Sequence, residues 1–527
     1  MNPALSILQN LQLQVDQKDW HSVITECTDL IPQHPNSPIL WNIFGLGHMR
    51  IGNFSGAKMA FTEAIDLKED FAPAHFNLAN VFKNLGADEE AAASYEACIG
   101  LEPNNPQFQN DFGNLLTKLN RFEDAAVYLM NAAKMGPKVA IYQFNIANLL
   151  KILGQHVDAE LFYKRALEIE PKNAEFRNNY IIFLEDVGAF SEARKQVEIA
   201  LNFNPNSPEL NVTLGYIRLR EQKFQTGWVL RQQYWKTSQP TQPFLKTQKP
   251  LWKGEKTDHL FVWAEQGIGD EIMVSTCFEE LYSRCEKLTI SASDKLLPLF
   301  ERSFSKNIDF MSRKQLPSDA RFDAHAPGMT ALGLLRPDAK SFKNNSVQNF
   351  RLLANRCRTA EFRSQALAID NERPVIGISW LSKSTRNGSN RSIPLPQLMS
   401  ALPKGAVLIN LQYGKFESEF ENLASELGHV ALSFRAVDKY ADLEGLASLI
   451  DCCDEVVTID NSIVHLAGAI GKKCNLLLPL GGDWRWGGKG EKSSYWYSSI
   501  KINRQTVLGD WDSCLANLDL FSASQLS

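Results

Sequence analysis

Long apolar runs, an excess of positive charge and paired cysteines are all missing from this sequence, and each absence narrows what the chain does. No apolar stretch approaches the ~20 residues that cross a bilayer, so no transmembrane segment is expected. Lys and Arg number 55 against 60 Asp and Glu, a net charge of -5, which argues against a nucleic-acid or anionic-membrane binder. The opening MNPALSILQNLQLQVDQKDW has neither a basic n-region nor an unbroken apolar h-region, so no secretory signal is expected. The nine cysteines are scattered, odd in number and without a CxxC or zinc-ligand spacing, which points to reduced thiols in a cytoplasmic protein. The balance of the composition, 44% hydrophobic and 22% charged, is that of a soluble globular chain long enough for two or three domains.

What the chain does have is a repeat. Ala57, Ala91, Ala125, Ala159 and Ala193 stand 34 residues apart, and Pro35, Pro103, Pro137, Pro171 and Pro205 share that register with Glu69 in the one gap. Phe61, Tyr95, Leu129 and Tyr163 recur between them, as do Phe44-Gly45, Leu78-Ala79, Phe112-Gly113 and Ile146-Ala147. Small residues at a helix crossing, a large one filling the next gap and a closing proline describe a helix–turn–helix unit. The period and pattern resemble the tetratricopeptide repeat. About six units fit into residues 1–236, a mildly acidic stretch with 21 Lys+Arg against 27 Asp+Glu. Such units bury their apolar faces only by stacking into a superhelix with a concave groove, suited to a scaffold or to capture of an extended protein segment. The last unit, FQTGWVLRQQYW, is degenerate, with Gly227 in the alanine position and added aromatics, as expected of a unit that docks on a following domain.

Residues 237–257 lack apolar periodicity and contain several prolines, which suggests a connector. Short apolar runs then alternate with amphipathic stretches. Strands are expected at 259–265, 287–293 and 308–311, and again at 374–380, 406–413, 430–434, 455–460 and 474–480. Helices fit at 270–284, 294–304, 394–402, 418–427, 441–453 and 462–470. Two doubly wound α/β halves facing a cleft follow, 258–350 and 373–527, with 351–372 between them and ligands at the carboxyl ends of the strands.

Repeats followed by EQGIGDEI, RSIPL, LQYG, DNSIVHLAGAIGK and DWRW resemble the bacterial repeat-containing glycosyltransferases. Their catalytic part is similar to the ADP-heptose lipopolysaccharide heptosyltransferases, and the plan is also that of protein O-GlcNAc transferases. The resemblance covers nearly the whole chain. It implies a GT-B fold, a nucleotide-sugar donor on the C-terminal half and an acceptor on the N-terminal half.

The residues admit structural and chemical readings side by side. In Gly267-Ile268-Gly269 the third glycine of GxGxxG is replaced by Ile272, so the dinucleotide fingerprint fails. Asp270 and Glu271 at the helix start would repel a phosphate but suit the helix dipole, and the glycines admit a substrate close to the backbone. Asp270 is an ordinary cap or, by the resemblance, the base that deprotonates the acceptor hydroxyl, with Glu265 and Glu271 in reserve and Gln266 beside it. Asn461 and Ser462 are favoured caps, while a helix N-terminus also seats a diphosphate. The resemblance makes Asp460, Asn461, Ser462 and His465 line the donor pocket. Lys383, Arg386 and Arg391 lie in a strand-end loop suited to a pyrophosphate, and Gln412 and Tyr413 at another strand end suit the base or ribose. Trp484 and Arg485 belong to an aromatic stretch that is either a sugar contact or an interdomain plug. Asp510-Trp511-Asp512 spells DxD but is expected to follow no strand, so no metal or added cofactor is expected.

The expectation is a cytoplasmic GT-B glycosyltransferase, independent of metal, whose repeats recruit a protein acceptor. Two alternatives stand beside it: a transferase building lipopolysaccharide or another surface glycan, and a repeat adaptor with a degenerate transferase domain.

Overall fold

The computed structural model describes residues 11, 13–315, 317, 321–343, 349–369, 373–383, 388–518 and 520. They form two compact units, the first reaching to Tyr180 and the second beginning at Ile181.

In the first unit helices come in pairs: Pro38–Arg50 with Phe54–Leu67, Ala72–Leu85 with Asp88–Leu101, Pro106–Lys118 with Phe122–Met135, and Ala140–Ile152 with His156–Ile169. The sequence period has a direct steric cause. A Cβ on Gly45 would lie 2.5 Å from the Phe61 ring, and one on Gly113 would lie 2.6 Å from Leu129 Cγ. Small residues of each first helix thus receive the large residues of the second, and the alanines 57, 91, 125 and 159 are fully buried. Neighbouring pairs are joined by side-chain amides, Asn77 to Asn42 at 2.9 Å and Asn145 to Asn110 at 2.8 Å. Ser37 and Asn105 cap helices whose first residue is proline, which needs no amide partner there.

The helical pattern continues in the second unit through Phe190–Phe203, Pro208–Arg220 and Phe224–Arg231. Compactness therefore divides at Tyr180 and Ile181, inside a repeat, and not at residue 236. The last helices are fastened to the α/β part by buried polar contacts. Trp228 donates to the Arg336 carbonyl at 2.9 Å, Arg231 pairs with Glu265 at 2.7 Å, and the Tyr216 ring stacks 5.8 Å from Trp484. Gly227 permits a tight crossing, since a Cβ there would lie 2.7 Å from Leu219 Cγ.

Two parallel sheets follow. The first contains β1 (Thr257–Trp263), β2 (Cys285–Ala292), β3 (Ile308–Ser312) and β4 (Ala324–Pro327) in the order β3-β2-β1-β4. The second contains β5 (Val375–Ser379), β6 (Val407–Asn410), β7 (Val430–Leu432), β8 (Glu455–Ile459), β9 (Cys474–Leu478) and β10 (Ile500–Arg504) in the order β10-β9-β8-β5-β6-β7. Strands β5, β8 and β9 are buried along their whole length, as parallel strands between two helical layers must be.

Several elements differ from the sequence expectation. Strand β4 reads AHAP and β10 reads IKINR, one too short and one too polar to stand out. Residues 351–372 contain a helix, Arg356–Leu367, whose charged sequence hides its one aromatic anchor, Phe362 against Phe434 at 4.7 Å. The expected helix at 270–284 is two, Ile268–Ser275 and Phe278–Tyr282, and the first starts two residues before Asp270. The connector is not a free linker. Leu245, together with Trp235 just before the connector, packs on Phe261 and Trp263 of the first sheet and on Phe322 ahead of β4, and the Trp252 amide donates to the His325 carbonyl at 2.8 Å.

Candidate active site

After β1 the chain turns through Glu265, Gln266 and Gly267 into helix Ile268–Ser275. Gly267 is extended, and its carbonyl accepts from the amides of Asp270 and Glu271 at 3.0 and 3.1 Å, which sets both carboxylates in the first turn. The three acids then part company. Glu265 is buried against Arg231 from the last repeat helix. Burial opposes the charge of Arg231, but Glu265, with Tyr216 and Asp270 adding to it, raises the guanidinium overall. Glu271 turns toward the first sheet, where it accepts from the Ser293 amide at 2.6 Å and pairs with Arg313 at 2.9 Å. Burial raises its carboxyl against the pull of those two partners. With its side-chain amide oriented so that both ends are satisfied, Gln266 bridges the turn, donating to Asp270 Oδ2 at 3.2 Å and accepting from Arg231 at 3.0 Å.

Asp270 reaches the other sheet. Its Oδ1 accepts from Arg485 Nε at 3.1 Å and also from Nη2 of the same guanidinium. Arg485 pairs in turn with Asp483 at 2.7 Å, Arg391 lies 3.6 Å from Asp483, and Arg391 lies 3.1 Å from Asp460. Alternating carboxylates and guanidinia thus run from the end of β1 to the ends of β8 and β9. Burial works against ionisation of Asp483, yet Arg485 and Arg391 hold its carboxyl below the usual range. Asp460 is raised by burial despite Arg391, and its Oδ1 accepts from Trp486 Nε1 at 2.8 Å.

His465, on helix Ser462–Ile470, sits beneath this chain of charges. Its Nδ1 lies 3.1 Å from the Tyr497 hydroxyl, and its ring lies 5.1 Å from Trp486 and against Gly269. Burial, with Arg485 adding to it, pushes the imidazole down to about 4, so it is neutral near pH 7.

The other candidate residues fall into three places. Asn461 caps its helix through Ile463 N at 2.9 Å and donates to the Ser379 hydroxyl at 2.9 Å. Gln412 is fully buried, and its side-chain oxygen accepts from Ser379 Oγ, Trp380 N and Leu381 N at 3.0, 3.2 and 2.9 Å. These bonds knit the ends of β5, β6 and β8 together and leave the Gln412 oxygen occupied by its own fold. Ser462, half-buried, opens the helix. Lys383 and Tyr413 form a second group: Lys383 Nζ stands 5.4 Å from the Tyr413 ring centre, and the Tyr440 ring is 6.1 Å from Tyr413. Lys295, after β2, reaches across to Tyr440, with Nζ 3.6 Å from its ring and 2.7 Å from its carbonyl. Trp484 is the plug reading of its stretch, buried between Tyr216, Trp228 and Trp496. Arg386 lies outside the described residues.

Asp483, Arg231, Lys295 and Tyr440 did not stand out in the sequence. Asp483 lies inside the quoted GGDWRWGG stretch, where its neighbours drew the attention, and Arg231 lies inside a repeat. Lys295 and Tyr440 are 145 residues apart and carry no shared signal. Asp510 does follow a strand, β10, contrary to expectation. Its carboxylate accepts from the amides of Asp512 and Ser513 at 3.1 and 3.3 Å, a turn cap.

Family models described as tetratricopeptide repeat match residues 72–105, 110–174 and 152–211. Tetratricopeptide repeats thus occupy residues 72–105 and 110–211. Among curated proteins the chain is similar to protein FlbA of Caulobacter vibrioides, 27% identical over 281 residues, 50% of this chain and 46% of that one. It is also similar to the protein O-mannosyl-transferase TMTC3 of Mus musculus, 33% identical over 85 residues, 16% of this chain and 9% of that one. The chain thus spans less than half the length of either relative. Among solved structures, YrrB, described as a TPR protein with an unusual peptide-binding site, is 20% identical with a TM-score of 0.30, covering 34% of this chain and 93% of its own. The Cut9–Hcn1 assembly of the APC/C matches at 15% identity and a TM-score of 0.35, over 42% of this chain and 44% of that one.

Proposed function

We propose that the protein is a glycosyltransferase of GT-B architecture that moves a sugar from a nucleotide-sugar donor to a hydroxyl of a protein held by its repeats. One observation carries this reading. Of the three acids at the turn after β1, Asp270 alone is turned toward residues at the carboxyl ends of the second sheet, where α/β folds bind ligands. In the proposed step Asp270 accepts the acceptor hydroxyl proton as that oxygen bonds to the anomeric carbon. The bond from the anomeric carbon to the diphosphate breaks, and the nucleoside diphosphate leaves with the bonding pair. Arg391, Lys383 and the N-terminus of helix Ser462–Ile470 are suited to stabilise that leaving charge. Residues 258–350 serve as the acceptor half and 373–527 as the donor half. Tetratricopeptide repeats in other proteins bind peptides, and TMTC3 is named a protein O-mannosyl-transferase, which agrees with a protein acceptor although only 9% of that protein is matched.

A second reading, an adaptor with an inactive transferase domain, draws on the pairing of Arg391 and Arg485 with carboxylates. A thermal-shift panel with UDP, GDP, ADP, CMP and dTDP separates the two. A nucleotide at 100 times its Kd stabilises the protein by about 2.7 kcal/mol. A clear shift with one of them, followed by transfer of labelled sugar that Asp270→Asn abolishes, supports the enzyme; no shift with any supports the adaptor.

A further inference from the structure

Arg485 is held from both sides of the boundary between the two sheets, by Asp270 on helix Ile268–Ser275 and by Asp483 in the loop after β9. Asp483 is shared with Arg391, which also meets Asp460. Arg485 lies in the loop after β9 and Arg391 closes the short helix Gly388–Arg391 that follows β5, each less than one-fifth exposed. The planar fork of arginine binds carboxylate and phosphate in the same bidentate geometry, so a phosphate can take the place of a carboxylate on it. The turn that carries Asp270 does not depend on the Arg485 contact, because Glu265 pairs with Arg231, Glu271 pairs with Arg313, and Gln266 ties Asp270 itself back to Arg231. Asp270 can therefore let go of Arg485 without the turn unfolding.

We infer that Arg485, with Arg391 beside it, is a diphosphate clamp that Asp270 masks in the absence of donor. Donor binding replaces the Asp270 carboxylate on Arg485 with a phosphate, and the same exchange frees Asp270 to take the acceptor proton. The inference rests on the glycosyl-transfer reading and adds an order to it: the donor enters first, and the base is released only when the donor is seated. Such coupling is reciprocal, so removing the Asp270 charge must tighten diphosphate binding.

The test is calorimetric titration of the full-length chain with UDP, GDP, ADP and dTDP. Four proteins are compared: wild type, Asp270→Asn, Arg485→Gln and the double variant. The expected result is that Asp270→Asn binds the preferred diphosphate at least fivefold tighter, although it no longer transfers sugar. Arg485→Gln binds at least tenfold weaker, and adding Asp270→Asn to it gains nothing. Arg485→Lys, which keeps the charge and loses the fork, takes the place of Arg485→Gln if that variant does not fold, with the same order expected. Wild-type binding that Asp270→Asn leaves unchanged or weakens overturns the clamp and leaves the transferase reading standing. A gain that persists without Arg485 also overturns it, because it would reflect only the loss of a nearby negative charge. If none of the proteins binds any of the four diphosphates, the clamp falls, and with it the transferase reading for every donor that carries a diphosphate.

Discussion

Gly269 packs against the His465 ring so closely that a Cβ there would lie 2.9 Å from His465 Cδ2. The contact joins the helix that follows β1 to the helix that follows β8 and sets how near the two sheets' ligand ends come. His465 has little room to yield, with Tyr497 on its Nδ1 and Trp486 at its face. Gly269→Ala is therefore expected to cost roughly 1–3 kcal/mol through overpacking. The same change should push Asp270, the next residue, away from Arg485. Thermal melts read the cost, and a variant that melts with the wild type would mean that the two helices part freely.

The buried imidazole also sets a pH dependence. His465 is lowered from 6.5 to about 4, chiefly by burial, so between those values the unfolded chain binds a proton that the folded chain does not. Stability then rises with pH across that window: it is fully present above pH 6.5 and is lost as pH falls toward 4. At the bottom of the window the loss amounts to about 3 kcal/mol. His465→Gln removes the titration, so the wild type should outlast the variant at pH 7 by more than at pH 5. A gap in melting temperature that stays constant between those pH values would place a charged histidine in the folded protein.

Arg231 and Glu265 form an ion pair in which both side chains are 2% exposed. Arg231→Met leaves the buried Glu265 carboxyl, already raised by burial, without the cation and hydrogen-bond donor that oppose that rise, a change expected to cost about 3–5 kcal/mol. Replacing both, as Arg231→Met with Glu265→Leu, removes the orphaned polar group and should recover most of that loss. Because Arg231 belongs to the last repeat helix, a chain beginning at residue 258 should be unstable at the turn that carries Asp270. Denaturant unfolding of the single and double variants checks the first point. Proteolysis near residue 265 in the shortened chain checks the second, and a protected turn would contradict it.

The sequence made the repeats legible because steric demands at each helix crossing recur every 34 residues, as at Gly45 and Gly113. The strands of the second sheet were legible because parallel strands buried on both faces read as unbroken apolar runs, as VIGIS and CNLLL do. Strand β4 was not, because AHAP is too short for a pattern. The turn at 265–271 was visible as a glycine-bearing turn with carboxylates, but which acid faces the other sheet was not. That choice depends on Arg231, Arg313 and Arg485, which come from a repeat helix, the end of β3 and the loop after β9. Spacing along the chain carries no trace of such partners.

Gln412 tests the difference between a residue that lines a site and one that builds it. At a strand end beside Tyr413 it reads as a contact for a base or ribose. In the fold its oxygen is the common acceptor for Ser379 Oγ and for the amides of Trp380 and Leu381, all in or just after β5. Gln412→Leu leaves those donors buried without an acceptor, at a cost of about 1–3 kcal/mol for each group left unsatisfied. Any loss of nucleotide affinity should then accompany a lower melting temperature, because the loop bearing Lys383 begins where those bonds are made. Tyr413→Ala should separate the two effects. Its ring touches only Lys383 and Tyr440 among the described aromatic and cation contacts, so nucleotide affinity should fall while the melt stays within about 0.5 kcal/mol of wild type, as for a surface change. Titrating both variants with the diphosphate that binds wild type decides the matter. If Gln412→Leu melts like the wild type and loses only nucleotide, its amide contacts the ligand and the bonds to β5 are incidental.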